Sequence, residues 1–122
     1  RSADGRESTR ISVDRRAGTL SIDTTRSSGR PDIYRRYPII MPGEMAEDVA
    51  VQTAPLELGT GELHLRVFVD RSIVEVFANE RQAVTQRIYP APAQSEGISL
   101  CCEAGCTQVN SVQVWRMRSL WE

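Results

Sequence analysis

The chain contains no lysine, and all fifteen of its basic residues are arginine. Sixteen acidic residues offset them to a net charge of −1. So even a balance argues against a nucleic-acid or anionic-membrane partner recruited by bulk charge. The arginines are scattered, which fits biased composition better than a dedicated carboxylate- or phosphate-binding patch. Histidine is nearly absent, with His64 alone, and the cysteines are only Cys101, Cys102 and Cys106. Adjacent strand residues point to opposite faces, so Cys101 and Cys102 are poorly placed to share one ion. A zinc site would lack ligands, and neither a metal nor a cofactor is expected. No apolar run approaches the roughly twenty residues of a membrane helix. Neither a signal peptide nor an Asn-X-Ser/Thr acceptor is present, and the compartment, cytoplasmic or secreted, stays open. The first residue is Arg1 rather than Met, which suggests a chain processed or cut from something longer.

What is present is a globular composition: 122 residues, 40% hydrophobic and 25% charged. That length suits one soluble domain, 1–122, with one core. Residues 8–13 and 19–25 alternate around the turn Arg15-Arg16-Ala17-Gly18, with Ile11, Val13, Leu20 and Ile22 facing inward. Residues 48–56, 63–69, 73–78, 83–89, 98–103 and 107–117 read as further strands. In the last, Val109, Val112, Val114 and Trp115 are packing candidates that do not keep one parity, so a bulge or a doubly buried strand is expected. No convincing amphipathic helix interrupts them. About eight strands with turn signals between them predict an all-β fold, a two-sheet antiparallel β-sandwich.

Two segments stand apart. Residues 27–47 hold Pro31, Pro38 and Pro42 and show no sustained period, yet carry Ile33, Tyr34, Tyr37, Ile39 and Ile40. A loop this long inside a compact domain tends to be functional or an interface. It packs against a partner or folds over its own sandwich. Glu103-Ala104-Gly105 reads as a hairpin loop that sets Cys102 opposite Cys106. A cross-strand disulfide is conceivable there, although two reduced, partly buried thiols are the better expectation.

The richest stretch is residues 63–90. With Arg71-Ser72 as a two-residue loop, Asp70 opposes Ile73, Val69 faces Val74, Val67 faces Val76 and Leu65 faces Ala78. One face is then uniformly apolar. The other carries Arg66, Phe68, Glu75 and Phe77, with Arg66 and Glu75 near enough diagonally to pair. A three-residue loop would set Val67 against Glu75 and mix the faces. Arg-Ser is not the Asn-Gly of a tight primed turn, so a four-residue variant stays open.

The run Leu65-x-Val67-Phe68-Val69-Asp70-Arg71-Ser72-x-Val74-Glu75-Val76-Phe77, with Asn79 and then Thr85, Arg87, Ile88, Tyr89 and Pro90, resembles the hairpin of the C-terminal β-sandwich module of glycoside hydrolase family 32. Upstream, Leu20-Ser21-Ile22-Asp23 and Arg26-Ser27-Ser28-Gly29 are similar to the strand and turn before it. Downstream, Val112-x-Val114-Trp115 with Leu120 and Trp121 is similar to its closing strand. Departures are Asn79-Glu80-Arg81-Gln82 in place of an Asn-Asp-Gly type turn, the lack of strands upstream of Arg1, and residues 31–47, which align with nothing.

The resemblance implies a jelly-roll or concanavalin-like sandwich, missing one or more N-terminal strands. It also implies a parent enzyme of the invertase, levanase and inulinase type. In that family the catalytic carboxylates lie on a five-bladed β-propeller, in Trp-Met-Asn-Asp-Pro-Asn-Gly-like, Arg-Asp-Pro and Glu-Cys segments. None occurs here, since Glu103 follows Cys102 instead of preceding a cysteine, and no catalytic residue is assigned. Asp70 and Glu75 could reach one another, but one hairpin offers no cleft for the two carboxyl groups a glycosidase needs. Asp70 is expected to accept loop amides, and Glu75 to pair with Arg66 or Arg71.

The leading expectation is therefore an accessory domain that covers and stabilises the catalytic propeller and supports oligomers. Asp70, Arg71, Ser72, Glu75, Phe77 and Arg66 would form its structural and interdomain surface. A lectin-like module is the alternative, with Tyr34, Tyr37 and Trp121 on a fructoside. Trp115 is read as core, and the 6% aromatic content is low for sugar stacking. A purely structural or oligomerising domain is the third reading.

Overall fold

In a computed structural model, which describes residues 1–30, 32–36, 50–59 and 61–118 (34 and 35 by backbone alone), the chain is all-β apart from one helical turn. The strands are β1 (Ser8–Asp14), β2 (Thr19–Arg26), β3 (Val51–Pro55), β4 (Leu65–Asp70), β5 (Ile73–Ala78) and β6 (Gln82–Arg87), with α1 (Ile33–Arg36) between β2 and β3. They form two antiparallel sheets ordered β1-β2-β3 and β4-β5-β6. In each, strands consecutive in the chain pair; short turns join them except between β2 and β3, which residues 27–50 separate. The expected two-sheet antiparallel sandwich is what the chain adopts.

Alternation decides which side chains meet. On β2, Leu20, Ile22 and Thr24 are buried, and on β5, Val74, Val76 and Ala78. These period-2 sets come from the two central strands and form the core with Leu56, Val84 and Ile88. Ile11 and Val13 pack against that core and pair with Ile22 and Leu20 across the β1–β2 ladder. Gly18 closes the β1–β2 turn at φ +65°, a conformation costly for any residue with a Cβ. Its carbonyl accepts the Leu56 N–H at 2.8 Å, joining the turn to the end of β3.

The hairpin takes the register read from its apolar pattern: Asp70 opposes Ile73, Val69 Val74, Val67 Val76 and Leu65 Ala78. Its burial differs from expectation. Leu65 and Val67 are each 43% exposed and Val69 66%, although they share a face with the buried set on β5. The reason is lateral offset. The first sheet meets the second at β6, through β2 and β3, so β4 overhangs as an unpaired edge.

The eight expected strands reduce to six among the described residues. Residues 98–118 carry no strand, and Val109, Val112, Val114 and Trp115 are exposed, Trp115 by 72%. Trp115 is therefore not core. In residues 107–117 the mixed parity leaves neither face consistently apolar. It is tied down by polar contacts, Arg10 to Glu103 at 3.0 Å and Asn110 Nδ2 to Glu62 Oε1 at 2.9 Å. Cys101, Cys102 and Cys106 are unpaired and exposed, not partly buried on facing strands. Most of the long loop lies outside the described residues, as do Tyr37, Trp121 and the Tyr34 side chain.

Candidate functional site

The hairpin motif separates into two places. Arg66, Glu75 and Phe77 lie along the sheet, and Arg71 and Ser72 at its tip. Phe77 stands opposite Arg66, and its ring meets that of Phe68 edge-on, with centroids 5.9 Å apart at 85°. That geometry suits the aromatic quadrupole and steadies the outer face of the hairpin. Glu75 lies between Phe68 and Thr85 in the ladder. No ion pair joins it to Arg66 or Arg71 among the described residues, which corrects the expected pairing. Strand twist separates diagonal neighbours, and the exposed Arg66 gains little by holding one rotamer for such a pair.

Asp70 ends β4 exposed, and no loop amide donates to its carboxylate among the described residues. The expected Asp-turn occurs instead at Asp14, whose Oδ1 accepts the N–H groups of Arg16 and Ala17, each at 2.8 Å. At the far end of the β4–β5 hairpin Asn79 takes a similar role. Its Oδ1 accepts the His64 N–H at 2.8 Å, and its own N–H donates to the His64 carbonyl at 2.9 Å.

At the tip, Arg71 adopts φ +50° and Ser72 accepts the Ile88 N–H at 2.8 Å through its carbonyl. This bond lays the segment after β6 against the tip. Between that segment and the start of α1 lies a cavity of about 370 Å³. Ile33, Ile88, Pro90 and Ala91 supply the apolar part of its lining, and Arg30, Arg71, Ser72 and Tyr89 the polar part. Among the described residues, no carboxylate lines it. Among the described residues there is also no cluster of three or more potential metal ligands.

Glu7 holds this region together, a role that no motif in the sequence marks. The side chain is buried, and it accepts the Gly29 N–H on one side and the Ala91 N–H, at 3.0 Å, on the other. One carboxylate thus fastens the loop before α1 to the loop after β6. Buried charge is tolerated because N–H groups solvate it. Gly29 suits the close approach, since a Cβ there would lie 3.0 Å from Glu7 Oε1 and the carboxylate would have to shift slightly. Glu7 went unnoticed because an acid just before a strand normally faces solvent. Arg30 and Tyr89 were missed because their meeting depends on this long-range tie.

Asp23 has a polar setting of its own. The Thr25 hydroxyl donates to it at 2.6 Å and the Thr25 N–H at 2.8 Å, and these bonds, the hydroxyl first, lower its pKa from the ordinary 3.8.

Comparison with known proteins agrees with the hairpin resemblance. Residues 1–116 match the family described as glycosyl hydrolases family 32 C terminal. The levanase of Bacillus subtilis (strain 168) is 34% identical over 114 residues, covering 93% of this chain and 15% of that enzyme. The levanase of Bacillus sp. (strain L7) is 41% identical over 69 residues, 56% of this chain and 7% of that enzyme. The sucrose-6-phosphate hydrolase of Escherichia coli is 41% identical over 56 residues, 45% of this chain and 12% of that enzyme. The chain thus spans 15% or less of the length of these relatives. No solved structure matches it. With the family matched from residue 1 to 116, this protein belongs to the C-terminal domain family of the family 32 glycosyl hydrolases.

Proposed function

We propose that this chain is the non-catalytic accessory domain of a β-fructofuranosidase-type glycoside hydrolase, and that it stabilises the catalytic β-propeller. The observation that carries this reading is the family match over residues 1–116, set beside relatives named levanase and sucrose-6-phosphate hydrolase that are far longer than the matched region. Hydrolysis of a fructofuranosidic bond in sucrose or a fructan needs a carboxylate nucleophile and a carboxylic acid facing one cleft. Among the described residues, the cavity beside the hairpin tip offers two arginines and no acid. The chemistry therefore belongs to the propeller, and this domain contributes surface.

That surface includes the overhanging face of β4, where Leu65, Val67 and Val69 present apolar area continuous with the core. An exposed edge strand is a template for association, so a cover from the propeller, or from a second copy in an oligomer, suits it. The test is direct. The chain alone, incubated with sucrose, levan and inulin, should release no fructose, and calorimetric titration with the same sugars should give no heat. Fructose release would refute the accessory reading. Millimolar or tighter binding would replace it with a lectin-like one.

A further inference from the structure

The cavity at the hairpin tip has a composition that packing alone does not explain. Arg30 and Arg71 both line it, and neither guanidinium has an ion-pair partner among the described residues. Two like charges on the wall of one concavity, with no counter-ion among the described residues, favour an anion between them. Ser72 and Tyr89 add hydroxyl-bearing side chains to the lining. Arg87 Nη1 lies 3.5 Å from the Tyr89 hydroxyl, bringing a further positive group to the margin. The acid closest in the bonding network, Glu7, is not part of the lining, and its oxygens face the N–H groups of Gly29 and Ala91. Ile33 and Ile88 are buried, so the apolar part of the lining is a fixed wall. The volume, about 370 Å³, is at the small end of the range for ligand sites and fits a body of about one sugar ring.

We infer that this cavity is a binding site for an oxyanion, a phosphoryl or carboxylate group carried by a ligand of about one-ring size, with Arg30 and Arg71 as its charged donors. Guanidinium groups suit such ligands because their planar N–H pairs match two oxygens at once. The apolar wall and Tyr89 receive the ring or chain that bears the anion. The site goes beyond the accessory role and does not depend on it, because its residues all lie within this chain. Two arginines far apart in sequence, Arg30 and Arg71, thus line one cavity.

The test is calorimetric titration of the 122-residue protein with a hexose 6-phosphate, with glutarate and with the unphosphorylated hexose. One of the two anions should bind at a single site, and its affinity should fall as salt rises. Arg30→Gln and Arg71→Gln should each weaken that binding by roughly tenfold, the share of one charge-assisted pair. Both side chains are exposed, so these variants should keep the wild-type circular dichroism. Tighter binding of the hexose phosphate identifies a phosphorylated ligand, and tighter binding of glutarate a carboxylate. The inference is overturned if neither anion binds, if the hexose binds as well as its phosphate, or if the two variants bind like wild type.

Discussion

At the scale of single residues, stability rests on a few polar groups that composition does not announce. Glu7 is the clearest, since its carboxylate fastens the loop before α1 to the loop after β6. Replacing it with alanine takes the shared acceptor away from the part-buried Gly29 and Ala91 N–H groups. We expect a loss of about 2–3 kcal/mol in urea unfolding. Glu80 is the opposite case. It follows Asn79 in the β5–β6 turn, and the two have φ +57° and +51°. Asparagine tolerates that region, whereas glutamate is strained there. Glu80→Gly should raise stability by up to about 1 kcal/mol and lift the thermal midpoint. Asp23 gives the acid response its sign. Its folded pKa lies below the unfolded value, so its contribution is present above the unfolded value and is lost as pH falls through the folded one. Urea midpoints taken from pH 7 down through the range below 3.8 should fall, and less steeply in Asp23→Asn.

At the scale of elements, the difference between β4 and β5 is the main lesson. The sequence specifies their pairing fully, because one register alone keeps valine against valine, and the ladder follows it. What pairing cannot tell is how far the facing sheet extends. Val76 therefore lies in the core while its ladder partner Val67 stays 43% exposed. Val76→Ala should cost about 2 kcal/mol through lost burial and the cavity left behind, and Val67→Ala well under half as much. Equal costs in chemical denaturation would mean that β4 is covered in the isolated chain. Residues 98–118 fail for a related reason. Their valines alone suggest a strand, but strand formation needs one consistently apolar face, which Val112, Val114 and Trp115 do not give. The candidate site shows the same limit. Arg71 and Ser72 were legible as a loop, whereas Arg30 and Tyr89 join them only through contacts distant in sequence.

At the scale of the whole molecule, the chain is a small sandwich with a closed core on one side and an uncovered apolar strand on the other. A domain of this size buries a modest fraction of its surface and gains from a neighbour. In the proposed assembly the neighbour is the catalytic propeller, and the β4 face is where the two would share apolar area. Replacing Leu65, Val67 and Val69 together with serine should cost the isolated chain less than the same changes on β5, since Leu65 and Val67 are 43% exposed and Val69 66%. The same replacement should destabilise the assembled enzyme. The central claim, that this domain stabilises a catalytic module instead of acting on sugar itself, reduces to one comparison. It is the thermal midpoint of the parent catalytic domain measured alone and joined to this chain. The account predicts a midpoint higher by several degrees in the joined form, with the gain lost in the serine variant. An unchanged midpoint would contradict it.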